Sequence, residues 1–424
     1  MADDTSVTYA AYRPGTPTAS ARVYEDQVTE LCTALFAEFR RSDQRIRARQ
    51  YLEGLLRAEG RKSIANIAAA MGVPGDGQRL HHFISSSHWA WSPVRRALAD
   101  FLVEGGLPSA WVALPVSIPK AGEHTVGVSR HLSSDGREIV NGQQAYSMWY
   151  TSERLVVPVS WRLHLPEVWQ RGRRRRAKAE VSEALGVTSP RDCVADLVDD
   201  VRRWGSPERP RPVVIDALKR AEPCCPAGLF DTSHPVAVRI GGHTRLAVLP
   251  WSPGIGHGRS PVPAWTLLDP TRRTRCVPRR TECHAPEGQW PLATAVVPVR
   301  TWGVTSHTTH RCPHRLMLLG VWHNLRRPPA ELRLTNMNDA PVTTLVRTTR
   351  LVHSVVSGWR TRGEAIGLQD YEGRSFTGWH RHMTLSTRPT ARPWRQAWRA
   401  ATCEEQLPCS PAARRRRACP VCRS

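Results

Sequence analysis

One stretch limits what this chain can fold into more than any other: Ala110 to Ser129, AWVALPVSIPKAGEHTVGVS. Trp111 to Leu114 is an apolar run with the aromatic and β-branched character of a buried strand. Pro115 and Pro119 cannot donate to a ladder, so the strand is expected to stop pairing there and to present Lys120, Gly122 and His124 on a polar turn. A second apolar strand, Val213 to Ala217, carries Asp216 at its C-terminal end, the place where open α/β sheets gather ligands. A lone Asp after a strand is also an ordinary helix cap or turn former, and local pattern does not separate the two readings.

Further motifs follow in order. Asn141 to Gln144 reads NGQQ, Trp161 to Trp169 reads WRLHLPEVW, and Gly367 to His382 reads GLQDYEGRSFTGWHRH. Taken with Trp111, Val112, Pro119, Lys120, Gly122, Gly127, Val128, Arg130 and the VVIDA strand, they resemble the DDE transposases of bacterial insertion sequences, in the RNase H-like DDE endonuclease group common in actinobacteria. The resemblance implies an α/β fold: an RNase H-like mixed-sheet core with a β-rich insertion, preceded by an all-helical N-terminal domain.

It also implies a chemistry. In that family three carboxylates hold two Mg2+ ions, which activate the nucleophile and stabilise the leaving oxygen during in-line phosphoryl transfer. Laid on this chain motif by motif, the first carboxylate position falls on Leu114, the second on Asp216 and the third, carried by a helix, on Val356. Asp216 is the candidate catalytic residue and Mg2+ ligand. Leu114 and Val356 offer no oxygen to a hard cation, and one carboxylate does not hold a two-metal site. Glu364, Asp370 and Glu372 follow Val356 without falling on its helix position. A nuclease of another kind, built on Asp216, Asp231 and Glu372, requires those oxygens to converge.

Charge points to a polyanionic partner. Lys and Arg total 60 against 37 Asp and Glu, for a net +23, well beyond what solubility needs. Duplex DNA fits, because each neutralised phosphate releases counterions and Arg adds bidentate geometry; a GC-rich genome also raises Arg content without any partner. No run of 18 apolar residues occurs and the N-terminus lacks a basic start before an apolar core, so neither a membrane span nor secretion is expected. Eleven cysteines scattered along the chain do not form a compact disulfide framework, which suits a reducing cytoplasm.

Residues 1–22 read as a disordered lead-in and 23–106 as a helical, helix-turn-helix-like DNA-binding domain. Apolar residues recur at helical spacing from Val28 to Leu56 with a break near Ser42-Asp43. Ser63 is placed to cap a short helix that Gly72 ends, and helices over Gln78–Ser85 and Ser92–Gly105 follow. The second of these short helices would aim Arg79, His81 and His82 at DNA, although Ala-rich short helices also pack as plain bundles. Residues 107–240 are expected to form the first part of the core, with turns at Ala121-Gly122, Ser134-Asp135-Gly136 and Asn141-Gly142. Arg171 to Arg176, RGRRRR, opens a helical stretch whose arginines are either a solvated face or phosphate contacts.

Residues 241–335 read as an inserted β-rich or irregular segment, with strand-like pieces at Leu292–Val299 and Arg315–Trp322. Cys276, Cys283, His284, His310, Cys312 and His314 lack zinc-finger spacing. Residues 336–390 are expected to close the core with a long helix over Thr343–Ile366, on which the resemblance makes Arg360, like Lys120 in the first motif, a phosphate-facing cation. Residues 391–424 form a basic tail with Cys403, Cys409, Cys419 and Cys422. Two functions remain open on these residues: an insertion-sequence transposase that cleaves and joins DNA with Mg2+, or a catalytically inactive relative that binds DNA. In either case the expected partner is double-stranded DNA, with a homo-oligomer on it.

Overall fold

The computed structural model describes residues 19–72, 76–134, 136–153, 155–183, 185, 188–204, 208–216, 229–230, 234–248, 261–268, 279–280, 293–305, 308–311, 315–363 and 366–387. Asp231, Glu364, Cys276, Cys283, His284, Cys312, His314 and the tail from 391 lie outside them, as does most of the 1–22 lead-in.

Five helices open the chain: α1 (Ala19–Phe36), α2 (Ser42–Arg57), α3 (Ile64–Ala70), α4 (Gly77–Ser85) and α5 (Trp91–Glu104). Ser63 caps α3, its side chain accepting from the Asn66 N–H, and Gly72 takes the left-handed φ of +69° that ends the turn beyond it. Leu35, Phe36, Tyr51, Leu52, Leu55, Ile67, Leu80, Phe83 and Leu98 bury a continuous apolar face, the expected result of helical spacing.

The strands β1 (Ala110–Pro119), β2 (Val128–Leu132), β3 (Ile139–Thr151) and β4 (Val156–Leu163) follow, then the helices α6 (Glu167–Gln170), α7 (Arg173–Lys178) and α8 (Pro190–Trp204). Next come β5 (Val213–Ile215), β6 (Val236–Ile240), β7 (Arg245–Val248), β8 (Val262–Pro263), α9 (Ala264–Leu267), β9 (Arg279–Arg280), β10 (Ala293–Thr305), β11 (Thr308–Arg311), β12 (Leu316–Trp322) and β13 (Glu331–Thr335). The chain closes with α10 (Val342–Arg362) and α11 (Phe376–Ser386). The main sheet runs β2-β3-β1-β5-β6-β13-β12-β10-β7-β8, with β4 also paired to β3. β1, β5 and β6 are parallel, and their outer neighbours β3 and β13 are antiparallel. This is a mixed sheet of the RNase H-like kind, and β13, β12, β10, β7 and β8 continue it beyond β6.

Two turn expectations fail here. β1 pairs without interruption to Pro119. The reason lies in which side each residue faces: Trp111 N–H donates to Pro212 O and Asp216 N–H donates to Ala113 O, so odd-numbered residues of β1 face β5. That strand ends at Ile215. Pro115 and Pro119 are also odd-numbered, so their missing N–H groups face a side with no β5 partner. Asn141-Gly142, expected as a turn, lies inside β3 instead. A Cβ on Gly142 would sit 2.3 Å from the Ile118 carbonyl oxygen, so the glycine permits close strand approach rather than a bend.

The helical stretch that starts at RGRRRR is broken as well: α7 ends at Lys178 and α8 begins at Pro190. Arg176 donates to the carbonyls of Ser182 and Leu185, and Arg175 lies over the Trp169 ring. Those two arginines fasten the local chain.

α11 joins the helical domain to the sheet. Its Trp379, His380, Arg381 and His382 are all buried. Arg95 of α5, also fully buried, donates to the carbonyls of Trp161 and His380 and to Thr384 Oγ1. Arg381 donates to the carbonyls of Ile84 and Trp89. The GWHRH sequence is thus spent on architecture, where buried polar groups find their partners.

Candidate functional site

Parallel pairing sets the geometry of the first two triad positions. Ala113 is in register with Ile215, so Leu114, in the middle of β1, and Asp216, just past the end of β5, stand side by side. Both are buried, Leu114 at 5% and Asp216 at 1% exposure. Helix α10 packs across β1 and β5, with Val352 and Val355 buried and Val356 packed against the same apolar core. Burial of these β-branched residues explains why the helix persists through a run of weak helix formers. Val356 and Leu114 line that region with carbon only.

What Asp216 meets is an arginine. Arg239 Nη1 lies 3.4 Å from each carboxylate oxygen of Asp216. Arg239 in turn stands opposite Arg333 in the β6–β13 register, a like-charge pair that is destabilising unless neutralised. Glu331 supplies the counter-charge: its Oε2 accepts from Arg333 Nη2 at 2.8 Å and Nε at 3.2 Å. His353 of α10 reaches Glu331 Oε1 at 3.6 Å. Burial acts to raise the Glu331 carboxyl, but Arg333 and Arg239 outweigh it and hold the group below the usual carboxylate range. Burial lowers His353, with Glu331 opposing and Arg350 reinforcing.

These residues do not fit the Mg2+ the family chemistry calls for. Two of three ligand positions carry no side-chain oxygen, and the remaining carboxylate, Asp216, faces a guanidinium on the same sheet face, which repels a dication. Among the described residues no group of three or more His, Cys, Asp and Glu is arranged to hold a metal ion. Arg239, Glu331, Arg333 and His353 escaped the sequence reading. The available signal was a charge interrupting each of two apolar strands, VAVRI and ELRLT.

Other candidates are placed as follows. Lys120 Nζ donates to the carbonyls of Gln369 and Tyr371 at 2.7 and 2.8 Å, and burial lowers its ammonium to about 8. It clips the end of β1 to the loop before α11, so this ammonium, a DNA-binding candidate by resemblance, is engaged within the fold. Arg360 is exposed on α10, one turn beyond Val356. Glu372 pairs with Arg61 at 3.0 Å, both largely exposed.

The helical domain carries a separate groove. α2, α4 and the 86–90 loop border an open groove of about 1160 Å³, lined by the basic Arg40, Arg47, Arg79 and His82 and by the acidic Glu38 and Asp43 among others. Buried Leu80, Phe83 and Ile84 turn the opposite face of α4 into the core, which leaves Arg79, His81 and His82 exposed. Asp76 ties the groove walls together, accepting from Arg47 at 2.7 Å and Arg79 at 2.9 Å. α3 and α4 follow one another in the chain, and α4 turns its polar face outward.

Among the described residues no helix is long and apolar enough to cross a membrane. No curated protein matches the chain. A family model described as DDE superfamily endonuclease matches residues 34–290, a span that takes in α2 to α5, Leu114 and Asp216 and stops short of α10. With more than half of its length matched, and with a mixed sheet that sets two triad positions side by side, the chain belongs to the DDE superfamily endonucleases.

Proposed function

We propose that this chain is a duplex-DNA-binding protein of insertion-sequence transposase descent that no longer cleaves DNA, acting in the cytoplasm as a homo-oligomer on element ends. One observation carries the reading: the sole carboxylate of the triad, Asp216, is paired with Arg239 while Leu114 and Val356 occupy the other two positions. Loss of one essential group in such a site costs roughly 10³-fold or more in rate, and here two are gone. The groove of α2 and α4, with Arg79, His81 and His82, supports DNA contact, and the net charge of +23 supports a polyanion. Arg360 is a further contact from the core.

The test is cleavage of a supercoiled plasmid carrying the flanking genomic DNA, with Mg2+ or Mn2+, beside duplex binding at two salt concentrations. Salt-sensitive binding without nicking is the expected result. Nicking that disappears in Asp216→Ala overturns the proposal in favour of a working transposase.

A further inference from the structure

We infer that the place where a DDE endonuclease gathers metal has become, in this chain, an anion site that grips one phosphate of duplex DNA through Arg239. The inference rests on the DNA-binding reading above.

Asp216, Arg239 and Arg333 stand in one row on the same face of the sheet, since Ile215 is in register with Val238 and Arg239 with Arg333. Among the described residues the groups acting on Glu331 and His353 include three guanidinium groups, Arg239, Arg333 and Arg350, and one further carboxylate, Asp216. The local field therefore favours an anion, the opposite of what a metal site requires.

Arg239 has capacity to spare. Its side chain keeps a quarter of its surface exposed, and Asp216 engages only Nη1, at the long end of hydrogen-bond range. Among the described residues Nε and Nη2 have no acceptor, so part of a planar fork suited to phosphate remains open. Arg333 adds an independent sign. It is 1% exposed, and its Nη1 is buried without a hydrogen-bond partner, a condition that native structures seldom leave uncompensated. A phosphate seated on Arg239 brings negative charge alongside it. A phosphodiester held in this way meets no nucleophile-activating ion, so the site binds without cutting.

Asp216 then competes with the phosphate for Arg239, and the two variants have opposite expected effects. Anisotropy of a labelled duplex is measured with the full chain in EDTA at several salt concentrations. Asp216→Asn, which frees the guanidinium, is expected to bind about 3-fold tighter or better; the double variant Asp216→Asn/Arg239→Met is expected to bind about 10-fold more weakly than Asp216→Asn, with a salt slope smaller by about one. Pairing the two changes avoids leaving a buried carboxylate unpaired, and Asp216→Asn/Arg239→Lys, which keeps the charge but not the fork, falls between. Replacing EDTA with Mg2+ should not tighten binding, since Mg2+ only competes for the phosphates; an affinity that rises with Mg2+ overturns the inference. Weaker binding in Asp216→Asn, or an Arg239→Met double variant with an unchanged slope, overturns this inference and leaves the DNA-binding proposal standing. Failure of the wild-type chain to bind duplex at all overturns both.

Discussion

Tyr51 Oη donates to His382 Nδ1 at 2.8 Å, linking α2 of the helical domain to α11 more than three hundred residues later. On the other side of the ring, Nε2 lies 2.7 Å from the Gly367 carbonyl oxygen. A carbonyl only accepts, so Nε2 carries the proton and Nδ1 receives from the tyrosine. The motif that resembles a family signature thus contributes a neutral, fully enclosed histidine that holds two parts of the fold together.

That histidine makes stability pH-dependent. Burial lowers His382 from 6.5 to about 4, against the opposing Gly367 hydrogen bond, and it lowers His380 in the same direction. Between those pH values the unfolded chain binds more protons than the folded one, so stability rises with pH through the window and is lost on acidification from about 6.5 towards 4. For His382 the linkage is worth about 3 kcal/mol. Urea midpoints measured at pH 7.5 and 4.5 should show this loss, and His382→Gln should be less stable at pH 7.5 but flatter between the two. A wild-type midpoint that does not move removes the neutral-histidine account.

Arg95 gives the sharpest contrast in stability. Truncating it to Ala leaves the Trp161 and His380 carbonyls without their buried donor and should cost about 1–3 kcal/mol for each. Its neighbour Arg96 pairs with Asp100 at the surface, and Arg96→Ala should cost no more than about 0.5 kcal/mol. Chemical denaturation of the two variants in parallel decides the point; similar losses would contradict the keystone role of Arg95.

Restoring the two missing carboxylates should not restore a metal site. Leu114→Asp with Val356→Glu still leaves Arg239 against Asp216, so Mn2+ titration followed by electron paramagnetic resonance should show no tight site. Adding Arg239→Ala should create one, because the cation that repels the metal is then gone. Tight Mn2+ binding by the two-substitution protein would show that Arg239 is no barrier.

The groove and the β1 clip should separate cleanly. Arg79→Ala should weaken duplex binding and lower the salt slope by about one, as expected for a single phosphate contact. Lys120→Met should leave affinity unchanged while costing about 1–3 kcal/mol in stability, because two carbonyls lose their donor. Reduced affinity in a folded Lys120→Met protein would return that lysine to the interface.

Gly142→Ala tests strand approach. The added Cβ would meet the Ile118 carbonyl oxygen at 2.3 Å, whereas at Gly122 nothing lies within 4 Å. Thermal unfolding should show a loss of about 1–3 kcal/mol for the first and little change for the second.

Local pattern was enough to determine the helices from Ser42 to Glu104, the strand that begins at Trp111, and Asp216 at the end of its neighbour, because caps, apolar spacing and turn glycines act over a few residues. The vacancy of two ligand positions was equally plain, since Leu and Val carry no donor atom in any fold. What surrounds Asp216 was decided only by tertiary structure. Arg239, Glu331, Arg333 and His353 come from two strands and a helix spread over more than a hundred residues, and a charged residue inside an apolar strand is informative only once register reveals its counter-charge. The same holds for Pro115, whose tolerance depends on where β5 stops, and for Lys120, whose ammonium is consumed by a loop some 250 residues away. Sheet register and burial choose which polar groups meet, and that pairing is what ties Lys120 to the loop before α11.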